Sequence, residues 1–204
     1  MTPRNYQLGK RQARVDESRQ RVVLAARSLL GDVAGYSAFT IDTVAARADV
    51  ARATVYYQFV SKVGLLEAVC DALAQEGKMS ELSSAFLNPD PMRAIEIFVD
   101  RFGQFWNADR AVMRRLRAIA ALDPDVGAVI DARDERRRAG LEVLVARLSD
   151  EGLLTMDHEM AVRVLFALTS FENFDSLAGP DRELTDVGSI VLALAKQVWI
   201  EQPI

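Results

Sequence analysis

One cysteine and one histidine in 204 residues leave little material for disulfide, redox or metal chemistry. Cys70 alone permits no intrachain disulfide, and no group of His, Cys and acids has the spacing of a metal site. A glycine-rich phosphate loop and a nucleophile elbow are missing too. Carboxylate pairs such as Asp134-Glu135 sit within a run of charge, not beside a nucleophile or base. The sequence therefore argues against an enzyme and requires neither cofactor nor metal. No stretch reaches eighteen uncharged apolar residues, so no membrane span is expected. The first twenty residues carry Arg4, Lys10, Arg11, Arg14 and Arg19 where a secretory leader needs an apolar run, which makes a cytoplasmic protein the expectation. His158 reads as a surface residue near a helix start, and Cys70 as a small buried hydrophobe.

What is present is unevenly placed. The chain as a whole has a net charge of −4, but residues 1–62 hold ten Lys or Arg against five acids, a net +5, which leaves −9 on the remainder. A basic end joined to an acidic body suggests that one part meets a polyanion.

Periodicity is helical nearly throughout. Val22/Val23, Ala26, Leu29/Leu30 and Val33 repeat at three and four, and Gly35 closes that stripe. Short helices are expected over 41–48, with Thr40 as N-cap, and over 52–59. Ser61 caps the next helix, which frays near Gly77. Asn88-Pro89-Asp90-Pro91 breaks the chain and starts a helix at Pro91, and Asp123-Pro124 opens a long one that Glu151-Gly152 ends. Within that helix the run Arg133-Asp134-Glu135-Arg136-Arg137-Arg138 reads as a solvated face. Two apolar helices, from Asp157 to about Leu177 and from Val187 to about Ile200, finish the chain. The fold class is all-α, with about nine helices and no strand pattern. The expected organisation is a basic, unstructured tail over 1–17, a first helical domain over 18–62 and a second over 63–204.

Two short helices separated by Asp49-Val50-Ala51, behind a long amphipathic helix, have the layout of a helix-turn-helix. Val55 and Phe59, four apart, turn inward with Val44, Ala45, Ala48 and Val50. Arg52, Ala53, Thr54, Tyr56, Tyr57 and Gln58 are left toward the outside. Arg52 at the helix start suits guanine O6 and N7, and Thr54 offers a hydroxyl and a methyl for a thymine. Tyr56 and Tyr57 reach phosphates, as does Lys62 at the start of the following helix. A packed helical hairpin without nucleic acid is the blander alternative.

With Ala25-Ala26, Gly35-Tyr36, Thr40, Val44-Ala45, Thr54, Tyr56, Phe59, Ser61-Lys62 and Leu65-Leu66 in joint register, residues 22–69 resemble the N-terminal domain of the TetR family of transcriptional regulators. The resemblance covers about a quarter of the chain. It implies a homodimer on a near-palindromic operator, released in most members by a small molecule in the C-terminal domain. It further implies that Thr40 touches phosphate, that Arg52, Ala53 and Thr54 face bases, and that Tyr56, Tyr57 and Lys62 hold the backbone. Three positions depart from the family pattern. Asp49 stands where the turn usually has glycine, Ala51 where a serine-like cap is usual, and Val63 where an acid is usual.

In the body, Phe98, Phe102, Phe105, Trp106, Met113, Leu116 and Phe166 are candidates to line an effector cavity, and they favour a hydrophobic or planar ligand. Ordinary core is the competing reading of such a stripe. The last two helices fit the family's four-helix dimer bundle, and Leu168, Phe171, Glu172, Asp175, Val191, Leu194 and Val198 are the interface candidates. Repression is expected over activation, because occupying a promoter requires only binding. A helical ligand-binding or interaction protein that has lost DNA binding is the alternative. Ahead of the motif, Lys10-Arg11-x-x-Arg14 is a candidate minor-groove arm within the basic tail.

Overall fold

A computed structural model describes residues 3–32 and 39–200, with side chains from residue 12 onward. Gly35, Tyr36 and Val33 of the sequence reading lie outside the described residues. Among those described, eleven α-helices run in chain order: α1 (Pro3–Gly31), α2 (Ile41–Ala48), α3 (Arg52–Phe59), α4 (Lys62–Glu76), α5 (Ser83–Leu87), α6 (Pro91–Asn107), α7 (Arg110–Ala120), α8 (Pro124–Asp150), α9 (His158–Leu168), α10 (Phe171–Ala178) and α11 (Gly188–Ala195). There is no strand among the described residues, and one antiparallel bridge joins Leu154 to Trp199.

Local chemistry sets most of the helix ends. Asp90 accepts from the N–H groups of Met92 (2.9 Å) and Arg93 (3.2 Å) ahead of Pro91, whose fixed φ suits the first helical position. Asp123 receives the Asp125 N–H at 3.0 Å, Asp157 that of Met160 at 2.9 Å, and Ser61 that of Gly64 at 3.0 Å. Gly152, with φ +68°, ends α8 in the left-handed region that costs a Cβ-bearing residue most.

The chain divides into two compact units, with the divisions falling inside α4, α7 and α8. The first runs to Ala72 and includes Arg114–Val129. Its core draws on Val22, Ala26 and Leu30 of α1, Val44 and Ala45 of α2, Val55 and Phe59 of α3, and Leu65, Leu66 and Val69 of α4. The second holds Leu73–Met113 and the chain from Ile130. There Ile95, Phe98, Leu141, Leu144, Leu165 and Phe174 are fully buried.

Four features differ from the sequence reading. The stretch expected as an unstructured tail is helical from Pro3, as the opening of α1. The helix expected over Asp157 to Leu177 is two, α9 and α10, which with the short α5 turns nine helices into eleven. The break falls at Thr169-Ser170, where Ser170 accepts the Asn173 N–H at 3.2 Å and starts a new helix. Side chains from outside the break satisfy the carbonyls it frees: Trp106 Nε1 donates to Thr169 O at 3.0 Å and Arg137 Nη1 to Phe166 O at 2.5 Å. Asn173 Nδ2 adds a bond to Leu168 O at 2.9 Å.

Third, the charged run is not wholly solvated, because the Arg137 side chain is only 2% exposed. Besides Phe166 O it donates to Thr169 Oγ1 at 2.9 Å, pairs with Asp134 at 3.3 Å and lies 3.9 Å from the Phe166 ring centre. Last, the final apolar segment stays α-helical only to Ala195 and closes in a 3-10 turn over Lys196–Val198.

Candidate nucleic-acid interface

The α2–α3 pair has the capping that its sequence implies. Thr40 Oγ1 accepts the Thr43 N–H at 3.1 Å, while Thr43 Oγ1 accepts that of Thr40 at 3.0 Å, a reciprocal capping box. Thr40 is exposed at this helix start. At the other end Asp49 takes φ 52° and ψ 54°, so the turn forms in left-handed geometry without glycine. Its N–H reaches Ala46 O at 3.3 Å, and that of Val50 reaches Ala45 O at 3.0 Å. Ala51 occupies the N-cap of α3 and supplies no side-chain hydrogen bond.

Val55 and Phe59 of α3 are buried, as are Val44, Ala45 and Ala48 of α2, while Val50 is half-buried. The opposite side of α3 therefore faces outward: Arg52, Ala53, Tyr56 and Tyr57 are exposed, Tyr57 by 83%, and Thr54 and Gln58 are half-buried. Arg52 is not loose on that surface. It pairs with Asp42 of α2 at 3.0 Å, donates to Tyr56 Oη at 3.4 Å and lies 5.5 Å from the Tyr56 ring centre. The Tyr56 hydrogen bond and then the Asp42 carboxylate hold the guanidinium above its ordinary pKa, so it stays a cation at any working pH. Sequence reading missed Asp42 as its partner. An acid at the second position of α2, ten residues before an exposed arginine, was the available signal.

Behind α3 the chain turns sharply. The Ser61 N–H returns to Phe59 O at 2.7 Å around Val60, whose φ of 64° is left-handed. Gly64 then passes so close that an added Cβ would sit 2.2 Å from Phe59 O. Lys62 opens α4 with its ammonium 5.5 Å from the Phe39 ring centre. Burial lowers its pKa, against the pull of Asp123 and Asp125. On α2, Arg47 ties back to Ser28 of α1 at 2.9 Å and to Asp32 just past its end at 2.6 Å, so its charge is engaged within the domain.

The other candidate residues fall into two groups. Phe98, Phe102, Phe105 and Trp106 form one aromatic row on α6, with ring centres 4.7 Å apart for Phe98 and Phe102, 5.7 Å for Phe102 and Trp106, and 4.6 Å for Phe105 and Trp106. Phe166 is half-buried between Arg137 and Arg138, whose guanidinium carbons lie 3.9 and 4.1 Å from its ring centre. Met113 is buried in the same unit, whereas Leu116 belongs to the first unit. Of the interface candidates, Phe171, Val191 and Val198 are buried within the chain itself, and Leu168 is half-buried. Glu172 is exposed, and so is Leu194, by 44%. Asp175 is half-buried and pairs with Arg110, which also donates to the carbonyls of Asp175, Gly179 and Arg182 and so closes the C-terminal end of α10. Among the described residues no group of His, Cys and acids could hold a metal, and no helix is long and apolar enough to cross a membrane.

Residues 23–69 match the model of a family described as bacterial regulatory proteins, tetR family. No curated protein matches the chain. Among solved structures, a TetR transcription regulator from Haloarcula marismortui is similar at TM-score 0.71 with 19% identity, covering 91% of this chain and all of that one. A protein from Saccharomonospora viridis in complex with choline gives 0.69 with 16% identity over 91% of this chain and all of that one. The regulator FadR from Bacillus subtilis, in complex with stearoyl-CoA, gives 0.66 with 15% identity over 88% and 98% of the two chains. Residues 23–69 are thus similar to the domain of the tetR family of bacterial regulatory proteins, and the chain shares the fold of these solved structures.

Proposed function

We propose that this chain is a DNA-binding repressor that acts in the cytoplasm as a homodimer on a near-palindromic operator and releases it when a small molecule occupies the second unit. The observation that carries the reading is the surface of α3. Val55 and Phe59 anchor the helix inward, which leaves Arg52, Ala53, Tyr56 and Tyr57 outward on a capped helix pair. Arg52, Ala53 and Thr54 face base edges, while Thr40, Tyr56, Tyr57 and Lys62 hold phosphates. Arg52 reaches a guanine by exchanging Asp42 for O6 and N7, a replacement that favours a cognate base over bare phosphate. In a two-fold dimer the two α3 helices would enter successive major grooves about 34–36 Å apart.

For the effector, the aromatic row of α6 supports a hydrophobic or aromatic molecule. The choline and stearoyl-CoA held by the two structural neighbours are ligands of those proteins. For dimerisation, Leu194, Ile190 and Met160 offer exposed apolar surface on α11 and α9.

Selection of bound sequences from a random duplex library tests the reading. The expected result is a palindromic site whose preference relaxes when Arg52 becomes Ala. Lys62→Gln should weaken binding evenly across sequences and lower the salt slope by about one for each phosphate no longer neutralised. Binding without sequence preference, unchanged by Arg52→Ala, would overturn it. An effector is established by a compound that both raises the melting temperature and releases the selected duplex.

A further inference from the structure

Before Asp16, the first acid of the chain, stand four cations: Arg4, Lys10, Arg11 and Arg14. That stretch is the opening of α1, a single helix from Pro3 to Gly31. Positions 14, 11, 10 and 4 lie four, seven, eight and fourteen residues before Ser18. At 3.6 residues per turn, those spacings return all four to roughly the same third of the helix circumference as Ser18.

Ser18 marks the side on which α1 meets the end of α3. Its hydroxyl accepts from Gln58 Nε2 at 3.2 Å. Next to it, Arg19 Nη1 donates to Gln58 O at 2.9 Å, and its guanidinium carbon lies 4.4 Å from the Phe59 ring centre. Arg14, one turn before Ser18, is exposed, and so is Tyr57 beside Gln58. The basic stripe thus starts one turn before a residue that bonds the last turn of α3, and it holds no acid.

We propose that the first four turns of α1 are a helical arm lying along the sugar–phosphate backbone that flanks the site read by α3, adding affinity without sequence preference. The proposal rests on the DNA-binding reading above. Duplex DNA is the occupant because the stripe starts one turn from the contact of α1 with α3 and its charge is complementary to phosphate. A helix about 10 Å wide does not enter a minor groove about 6 Å across, so the arm meets phosphates, not base edges. From Ser18 back to Arg4, at about 1.5 Å per residue, the arm reaches roughly 20 Å, about six base pairs. A helical arm on the phosphates thereby replaces the groove-entering arm expected from sequence.

The test uses the full chain and two duplexes, the selected site trimmed to its edges and the same site with ten further base pairs on each side. The variant carries Arg4→Gln, Lys10→Gln, Arg11→Gln and Arg14→Gln together. The expected result is a loss of affinity of about tenfold or more on the long duplex. It should come with a salt slope reduced by about three to four per arm, an unchanged base preference and little difference on the trimmed duplex. Arg14→Gln alone should show part of the same loss. Equal affinity and slope for variant and unaltered chain on the long duplex would overturn the arm and leave the reading of α3 intact. A changed base preference would also overturn it, since it would put the arm in a groove. If the unaltered chain binds neither duplex, the DNA-binding reading falls and the arm falls with it.

Discussion

The two units use arginine in opposite ways. In the first, the Arg52 side chain is 59% exposed and its partners Asp42 and Tyr56 are exposed as well, so the group can change partners at little cost. In the second, Arg137 is enclosed against Phe166, and its donors go to the backbone and hydroxyl of a helix break. The same guanidinium is an exposed, exchangeable surface group in one place and part of the skeleton in the other. Burial decides which, because a cation out of water needs partners inside the protein, which Arg137 finds through its two terminal nitrogens, whereas one in water can exchange them.

The largest effect that could break this contrast is on Arg137. Replacing it with Ala removes donors from Phe166 O and Thr169 Oγ1 and leaves a void beside Phe166, so urea unfolding should register a loss of about 3 kcal/mol. A loss below about 1 kcal/mol would mean that the buried arginine is dispensable. In the first unit the comparable sensitivity lies in backbone spacing rather than charge. Gly64→Ala forces a Cβ against Phe59 O and should cost about 2 kcal/mol, read as a lowered melting temperature together with weakened DNA binding. Ala51→Ser restores the missing cap of α3 and should raise stability by about 1 kcal/mol. Arg52→Ala should move stability by less than about 0.5 kcal/mol while relaxing base preference in a binding selection. A large stability loss there would make Arg52 structural and erase the distinction between the units.

The pH response also differs by location. Burial alone would raise the pKa of Glu96, but hydrogen bonds and attraction from Arg93 (2.6 Å) and Lys196 (3.2 Å) hold it below the ordinary value. A depressed carboxylate contributes stability above its unfolded pKa and loses it as pH falls through the folded one. An acid titration of Glu96→Gln should therefore show less stability than the unaltered chain at neutral pH and a narrowing gap toward acid.

Elements whose ends are set by neighbouring residues were legible. Thr40, Ser61, Asp90, Asp123 and Asp157 each hold an N–H within three residues, so the helix starts follow from sequence alone. The outward set on α3 was legible for the same reason, since Val55 and Phe59 one turn apart assign the buried side. The break between α9 and α10 was not, because its donors Arg137 and Trp106 come from other helices. Arg137 itself stood seven residues after Ile130 and four before Leu141, the register of the buried face. Its charged neighbours concealed that register. In the last two helices the apolar pattern could not separate Phe171, Val191 and Val198, covered within the chain, from Leu194, left exposed.

The sequence by itself determined the all-α class, most of the helix ends, the helix-turn-helix register and the basic character of the N-terminal end, because each depends on bonds and spacings within a few residues. Tertiary structure decided which arginines stay at the surface and which are internal supports, where the long C-terminal helix breaks, and where α1 meets the end of α3. Those outcomes depend on groups far apart in the chain that meet only when the helices pack.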